Sequence, residues 1–345
     1  MNVLVINAGS SSLKCKLFSL PEGRVLFNEL VQNIGEKGSE VATHHDALIH
    51  LKIDFKKVDL IAHRVVHGGE KFSKAVLIDA YVKQEIRALF SLAPLHNPAN
   101  LEGIDVMQEF AKEIPQVALF DTAFHSTMQA EAYLYALPYE LYEKHTIRRY
   151  GFHGLSHSYV LKEAAKILDK PVEKCSMVTL HLGNGASVCA IENGKSIETS
   201  MGFTPLEGLV MGSRSGDLDP SIVLYLQEEL GLSVAEVSRL LNKESGLVGI
   251  CGENDVRKIL QSEERNAALA IRMMVRRIQK YVGAYMALLD EVDAIVFTGG
   301  IGENSEYIRK AVMQSRLLSQ VKCLVINTDE ELEMARESLK YFTHL

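Results

Sequence analysis

The 345-residue sequence lacks the features that define several classes of protein. No apolar run is long enough to span a bilayer, so we expect no membrane insertion. The chain enters a predicted strand at once, without a basic region or cleavage site, which argues against secretion. The five cysteines are scattered without a C-x-x-C pair, so they predict reduced thiols in the cytoplasm and neither a disulfide framework nor a zinc site.

Excess positive charge and the commonest nucleotide motif are also missing. The net charge of −7 argues against a nucleic-acid-binding surface, so an anionic substrate would need locally placed arginines and lysines. No G-x-x-x-x-G-K-[ST] occurs, which excludes a P-loop NTPase. What is present is ordinary for a globular enzyme, with 47% hydrophobic and 23% charged residues in a chain long enough for two domains.

The stretch 178–191, V-T-L-H-L-G-N-G-A-S-V-C-A-I, predicts a β-hairpin with its turn at Gly183, Asn184 and Gly185. Such a turn leaves backbone N–H groups uncovered and suits an anion, although an ordinary surface hairpin has the same sequence signature. Residues 2–20 repeat the plan, because A-G-S-S-S separates two strand-like runs. The echo suggests a duplicated architecture with a phosphate turn in each half.

Strands alternating with helices predict an α/β protein. Further strands are expected at 59–66, 117–120, 294–297 and 323–326. Helices are expected at 79–92, from near Pro98, from near Ser156, from Pro220, at 233–246, at 263–289 with an apolar core-facing stripe, and at the end of the chain. Residues 21–55 show little period, and residues 201–220 predict a long and therefore functional loop.

Several motifs allow both a functional and a structural interpretation. T-G-G-I-G-E-N-S, which follows the strand at 294–297, is either a nucleotide turn or a simple helix entry. It is not a Rossmann fingerprint, because Ser305 stands where the third glycine would be. The spacings H-R-V-V-H and H-G-L-S-H could suggest zinc, but the first lies on a predicted strand and the second opens in a glycine-flanked loop, so we expect no zinc.

Charged residues near strand ends are the other candidates. Arg64 interrupts an apolar strand, so it either forms a structural ion pair or faces a cleft. Asp121 follows a strand at the edge where open α/β sheets bind ligands, or it caps a turn. Arg214 in the glycine-rich loop is either functional or a solvated side chain.

Glu330 stands in T-D-E-E, just before the last predicted helix. The pattern predicts an N-cap at Thr328 with a capping box to Glu331, in which Glu330 merely favours the helix dipole.

Taken together, the motifs resemble the acetate kinase family, and they follow the family's order over most of the chain. They are N-A-G-S-S-S-L-K, H-R-V-V-H-G-G, A-P-L-H-N-P, F-D-T-A-F-H, Y-G-F-H-G-L-S-H, H-L-G-N-G-A-S, M-G-F-T-P-L-E-G-L-V-M-G-S-R-S-G-D-L-D-P and F-T-G-G-I-G-E-N-S. The resemblance implies the sugar-kinase, heat-shock-chaperone and actin superfamily. Its members have two duplicated ribonuclease H-like (actin-like ATPase) α/β domains with a nucleotide cleft between them. Here these would be 1–125 plus 332–345, and 126–331.

The resemblance also implies a role for individual residues. As catalytic residues it implies Arg64, Asp121, His153 and Arg214. For the acyl substrate it implies Arg64 with Val66, Leu95, His96, Phe152 and Pro205. For ATP it implies Lys14, His181, Leu182, Gly183, Asn184, Gly185, Asp255, Val256, Arg257, Gly300, Ile301, Gly302, Glu303 and Asn304, and for Mg²⁺ (or Mn²⁺) Asn7 and Glu330.

The implied activity is phosphoryl transfer from ATP to acetate by a cytoplasmic homodimer, without nucleic acid or membrane as partner. The attacking carboxylate has no proton to lose, so we expect Asp121 to orient groups around the magnesium rather than act as a general base. A propionate kinase of the same fold and a non-catalytic nucleotide sensor remain alternatives. The chain is shorter than is usual for the family before Arg64 and before the last strand, and Val256 stands at a variable position on the adenine side, so ATP and pyrophosphate both remain possible donors.

Overall fold

The computed structural model describes residues 1–36, 38–39, 41–94 and 96–342. The strands are β1 (Asn2–Gly9), β2 (Ser12–Ser19), β3 (Arg24–Gln32), β4 (Leu60–Val65), β5 (Val76–Leu77), β6 (Gln116–Phe120), β7 (Met177–Leu182), β8 (Ala186–Glu192), β9 (Lys195–Thr199), β10 (Ala294–Thr298) and β11 (Cys323–Val325). The helices are α1 (His44–Leu51), α2 (Ala80–Ala88), α3 (Asn97–Phe110), α4 (Ala130–Tyr133), α5 (Tyr139–His145), α6 (Gly154–Leu168), α7 (Ser221–Glu228), α8 (Val234–Lys243), α9 (Gly246–Cys251), α10 (Val256–Gln261), α11 (Arg265–Met286), α12 (Gly299–Asn304), α13 (Glu306–Met313) and α14 (Glu330–Phe342). None of these helices is both long and apolar enough to cross a bilayer.

The chain forms two compact units. The first contains Met1–Ser126, Gly154–Ser156 and Asp329–Leu345, and the second contains Thr127–His153 and His157–Thr328.

The sheet of the first unit has the order β3-β2-β1-β4-β6-β5. Strands β1, β2 and β3 pair antiparallel, whereas β4 and β6 continue the sheet parallel to β1. Two apolar cores contain the alternate residues of β1, because successive side chains of a strand point to opposite faces. Leu4 and Ile6 pack with α1 and Met107 of α3, and Val3 and Val5 pack with Met334 of α14.

The sheet of the second unit has the order β11-β10-β7-β8-β9. Strands β7, β8 and β9 pair antiparallel, and β10 and β11 continue the sheet parallel to β7. This order and these directions match β6-β4-β1-β2-β3 of the first unit. The predicted duplication, with a strand–turn–strand hairpin opening each sheet, is therefore confirmed.

The predicted core stripe of α11 is confirmed at Ala267, Ala270, Ile271, Met274 and Ile278, which are buried. Its last predicted member, Tyr281, is only half-buried, so the prediction is wrong there. Periodicity placed this stripe correctly because one face of the helix packs on its unit and the other meets solvent.

Three local predictions need correction. Residues 21–55 contain β3 and α1, which the absence of a period concealed because β3 is a largely exposed edge strand. Gly246 does not close the helix that Ser233 caps; that helix ends at Lys243, and Gly246 begins α9 with φ +63°.

The third correction concerns the start of α14. The Leu332 amide donates to Asp329 Oδ1 at 2.9 Å, whereas the Thr328 amide donates to Glu303 Oε1. Glu331 pairs with Lys14 and does not reach back to Thr328. The predicted capping box is therefore wrong, because both of its members have partners elsewhere in their own unit.

Candidate active site

Arg64 lies at the centre of an ionic cluster in the first unit. Its Nε and Nη2 donate to the two carboxylate oxygens of Asp121 at 2.9 and 2.8 Å, and Nη2 lies 3.2 Å from Glu330 Oε2. Arg64 is on β4 and Asp121 directly follows the neighbouring parallel strand β6, so the fold alone brings them together. No described residue accepts a hydrogen bond from Nη1, which leaves one edge of the guanidinium for a ligand.

Burial and neighbouring charges both act on the pKa values of Arg64 and Asp121. Burial lowers the pKa of the Arg64 guanidinium, but the Asp121 and Glu330 carboxylates raise it by more. The net pKa is above the ordinary value, so Arg64 stays charged. Burial raises the pKa of the Asp121 carboxyl, Arg64 opposes this rise, and the negative charge of Glu330 adds to it. The cluster is therefore a buried cation with two carboxylates, arranged for orientation more than for proton transfer.

Asn7 and Lys14 face each other across the first hairpin. They are paired in the register of β1 and β2, and Ile6, the residue before Asn7, pairs with His63, the residue before Arg64. The Asn7 side-chain amide has no hydrogen bond to any described residue. Lys14 Nζ forms an ion pair with Glu331 Oε1 at 2.5 Å, so its charge is already partnered within this unit.

The predicted acyl-binding residues fall in different parts of the chain. Val66 directly follows β4, and His96 precedes the first turn of α3. Phe152 is buried and Pro205 is half-buried, both in the second unit. Leu95 lies outside the described residues.

Two asparagines of α3 hold the strand ends near Arg64, and sequence reasoning missed them. Asn97 Oδ1 accepts from the His67 amide, and Asn97 Nδ2 donates to the His67 carbonyl, both at 3.0 Å. Asn100 Oδ1 accepts from the Val66 amide at 3.0 Å, and its Nδ2 donates to Ala8 O at 2.7 Å. For Asn97 the motif A-P-L-H-N-P contained the signal, because an asparagine inside a buried first helical turn needs polar partners.

The turn at Gly183–Gly185 is the predicted hairpin turn of the second unit. His181 pairs with Ser187 and Leu182 with Ala186 on either side of it. A Cβ on Gly185 would lie 3.5 Å from His153 Nε2 and 3.6 Å from Arg214 Nη1. These two nitrogens therefore converge on the backbone of the turn.

His153 is held by a chain of buried polar groups. It precedes α6 with φ +57°, and its ring stacks on that of His181 at 4.2 Å. Its Nδ1 lies 2.9 Å from Ser187 Oγ, which in turn lies 2.8 Å from His157 Nε2. Since Nδ1 is taken by this contact, Nε2 is the nitrogen aimed at Gly185.

Arg214 occupies the predicted long loop, which has no helix or strand from residue 201 to 220. The guanidinium is half-buried, and its Nη1 donates to Pro205 O at 3.2 Å. No carboxylate of the described residues pairs with it, and burial lowers its pKa from the ordinary value without a compensating partner. A desolvated arginine without a counter-ion is costly, and an anion beside it would offset that cost.

A cavity of about 710 Å³ opens beside the Gly183 turn. Of the predicted nucleotide-binding residues, its lining includes Gly183, Asn184, Asp255, Val256, Arg257, Gly300, Ile301 and Asn304. It also includes Asn254, Leu260, Gln261, Ser305, Glu306 and Tyr307, which sequence reasoning did not name. The volume and the mix of apolar and polar side chains suit a nucleoside.

Other predicted nucleotide-binding residues are outside that lining, namely Lys14, His181, Leu182, Gly185, Gly302 and Glu303. Glu303 Oε1 accepts from the amides of Gly299 and Thr328 at 3.0 and 2.9 Å. This oxygen therefore ties the glycine turn after β10 to Thr328.

The duplicated sheets define the fold class, two ribonuclease H-like (actin-like) α/β units with one strand order. Comparison with known proteins gives the family. Residues 45–340 match the sequence profile of the acetokinase family, and the chain belongs to this family.

Among its relatives, the acetate kinase of Sulfurimonas denitrificans is 50% identical over 383 aligned positions, which include 98% of each chain. The crystal structure of Porphyromonas gingivalis acetate kinase superposes with a TM-score of 0.93 at 39% identity and covers 99% of both chains. A propionate kinase from Francisella tularensis has the same TM-score at 44% identity and covers 97% of this chain and 98% of its own. The first alignment is longer than the 345-residue chain, so this chain is shorter than that relative.

Proposed function

We propose that the chain transfers the γ-phosphoryl group of ATP reversibly to acetate, giving acetyl phosphate and ADP, with Mg²⁺ or Mn²⁺. The observation that carries this proposal is the unpaired Arg214 guanidinium, 3.6 Å from the Cβ position of Gly185 in the hairpin turn. Phosphoryl transfer needs positioning and charge stabilisation more than covalent chemistry, and a cation without a protein counter-ion supplies both.

The reaction balances without a general base. A carboxylate oxygen of acetate forms a bond to the γ-phosphorus while the bond from that phosphorus to the β,γ-bridging oxygen breaks. The carboxylate carries no proton, and the leaving oxygen departs as part of ADP. The main barrier is electrostatic, because unit charges of the same sign at 4 Å repel by about 4 kcal/mol at an effective dielectric of 20.

Arg64 is suited to hold the acetate carboxylate, because the planar guanidinium binds two oxygens and its Nη1 edge is open. Asp121 uses both oxygens on Arg64, which supports orientation of this arginine as its task. His153 and Arg214 would then stabilise the charge on the transferring group.

The metal-binding role of Asn7 and Glu330 rests on the chemistry of their donors. Both offer oxygen, which Mg²⁺ prefers, and the Asn7 amide is without a partner among the described residues. Mg²⁺ commonly takes one or two protein oxygens and completes its coordination with water and substrate phosphates. When bound, the ion would neutralise phosphate charge.

The cavity of about 710 Å³ is proposed as the nucleoside site. Val256, Leu260 and Ile301 offer apolar surface for the base, and Asp255 and Asn304 offer polar groups. Because pyrophosphate would leave this lining unused, the cavity favours ATP as the donor.

Propionate is the second candidate acceptor, since a structure described as a propionate kinase superposes with a TM-score of 0.93. One methylene is worth only about 1–3 kcal/mol in an apolar pocket, so the pocket sets a ratio of rates, not an absolute choice.

We also propose a homodimer in the cytoplasm. Helix α7 supports the dimer, because it carries apolar side chains but buries none of them. Ile222, Leu224 and Tyr225 are 46–57% exposed. A second copy would cover this apolar patch, which single chains rarely leave exposed. Sedimentation of Tyr225→Glu at the concentration where the wild type is dimeric is expected to give a monomer, and an unchanged dimer would place the interface elsewhere.

The test of the activity is ATP-dependent acyl hydroxamate formation with formate, acetate, propionate and butyrate, repeated with pyrophosphate as donor. We expect the highest kcat/KM for acetate with ATP. A clear preference for propionate would refute the choice of acceptor, and no product with any acid would support a non-catalytic nucleotide sensor.

A further inference from the structure

We propose that Asp217, Arg277 and Tyr281 are positioning residues that clamp the base of the Arg214 loop. This inference rests on the proposed role of Arg214 in phosphoryl transfer. None of the three belongs to the sites described above, and their hydrogen bonds close residues 208–217 into a ring that contains Arg214.

The clamp joins two loop residues to each other and to one helix. The Gly208 amide donates to Asp217 Oδ1 at 2.7 Å, and the Asp217 amide donates to Gly208 O at 3.1 Å. Arg277 then donates from Nη1 to Gly208 O at 2.8 Å and from Nη2 to Asp217 O at 3.1 Å. Tyr281 donates its hydroxyl to Asp217 Oδ2 at 2.8 Å.

The helix presents these two side chains together. Arg277 and Tyr281 are four residues apart on α11, so both project from one helical face towards the loop. Arg277 Nη1 is also 3.3 Å from Asp217 Oδ2, which makes the contact an ion pair as well as a carbonyl bridge. Charge-assisted bonds of this kind are stronger than those between neutral groups.

The loop needs such a clamp because of its composition. Within 208–217 three residues are glycine, and Gly208 and Gly216 have φ of +107° and +67°. Ordering a loop costs conformational entropy at every residue, and glycine loses the most. A Cβ on Gly216 would lie 2.2 Å from Leu209 O, so the glycine is also required by the close approach of the two loop arms.

The ring sets the place of Arg214 relative to its target. Arg214 lies between Gly208 and Asp217, the two loop ends that the clamp holds together. Its guanidinium reaches the hairpin turn of the second unit, where we propose that phosphate binds. Displacement of a charge-stabilising group by 1 Å can lower a rate by about 100-fold. Opening the clamp should therefore lower kcat through Arg214 and leave the nucleoside cavity, formed by other elements, unchanged.

A double-mutant cycle tests this coupling. We expect Arg277→Ala to lower kcat by about 10- to 100-fold with KM for ATP within about twofold, and Tyr281→Phe to lower kcat by a few-fold. In the Arg214→Ala background the same substitutions should lower kcat by less than about twofold, because the group they position is absent. Arg276→Ala, at the exposed neighbouring position on α11, is the matched control and should leave kcat unchanged.

Three outcomes would overturn the inference. Equal fold-losses in both backgrounds would show that Arg277 acts independently of Arg214, a loss confined to KM for ATP would give it a binding role, and an unchanged kcat would remove any role. If Arg277→Ala fails to fold, Tyr281→Phe decides the question by the same cycle. This variant keeps the aromatic side chain and loses only the hydroxyl that binds Asp217. Full activity of Arg214→Ala alone would instead refute the proposed function of Arg214.

Discussion

Arg64 and Asp121 are joined by two parallel hydrogen bonds, from Nε at 2.9 Å and from Nη2 at 2.8 Å. Both oxygens of the Asp121 carboxylate thus accept from Arg64. The residue expected from the resemblance to orient groups around magnesium therefore acts, in the proposed mechanism, on the arginine that binds acetate.

The pair gives the first prediction. Asp121→Asn replaces one acceptor oxygen by an N–H donor that faces Arg64, so the guanidinium loses its fixed orientation. A charged hydrogen bond is worth about 1.5–3 kcal/mol, so kcat/KM for acetate should fall by about 10- to 100-fold. Glu109→Gln, an exposed acidic position of α3, is the control. Steady-state kinetics that show an unchanged kcat/KM for acetate would separate Asp121 from acetate binding.

Arg214 gives the second prediction. Arg214→Ala should lower kcat by about 10²–10³, as for the loss of a group that stabilises charge in the transition state, while the dissociation constant for ATP changes little. Arg239→Ala removes an exposed arginine whose ion pair with Glu244 is worth little, and it should be indistinguishable from wild type. A change in KM for ATP alone, with kcat preserved, would show that the role of Arg214 is misassigned.

The nucleoside cavity gives the third prediction. Leu260 lines it and is 36% exposed, so Leu260→Ala should raise KM for ATP by about tenfold through lost apolar contact and leave kcat nearly constant. Leu288→Ala, which removes a similar side chain that is 54% exposed and outside the cavity, is the control. An equal KM for ATP in both variants would move the base out of this cavity.

His63 gives the fourth prediction, on stability. Burial lowers its pKa to about 4, and the hydrogen bond with Gln116 raises it only in part. The folded chain thus holds His63 neutral, whereas the unfolded chain protonates it below about 6.5. The free energy of unfolding should fall as the pH drops from 6.5 to 4, by about 1.4 kcal/mol per pH unit for this histidine.

Urea denaturation at pH 7 and pH 5 checks this for wild type and His63→Gln. The variant is expected to lose less stability between the two pH values, because one proton fewer binds on unfolding. An identical pH dependence in both proteins would show that His63 does not contribute.

Sequence reasoning reached the fold because its signals are local. The Asn-Gly turn at 184–185 and the serine-rich turn before Ser12 each predict a hairpin, and the stripe of α11 reports burial at every third or fourth residue. The edge strand β3 escaped because its side chains are mostly exposed and show no alternation.

The site was predicted only as a set of residues, without their partners. Arg64 in an apolar strand could have been paired or open, and only the neighbouring strand β6 decides that Asp121 binds it. Arg277 and Tyr281 fit the pattern of an ordinary amphipathic helix, yet they bind a loop residue 60 or more positions away. Contacts of this range depend on the packed fold and leave no mark in local sequence.

The most direct test of the central claim is a ³¹P NMR spectrum of the chain with acetate, ATP and Mg²⁺. We predict that the resonances of acetyl phosphate and ADP grow together as ATP declines, and that Arg214→Ala slows this by about 10²–10³. Growth of inorganic phosphate without acetyl phosphate, or a spectrum that does not change, would contradict the account.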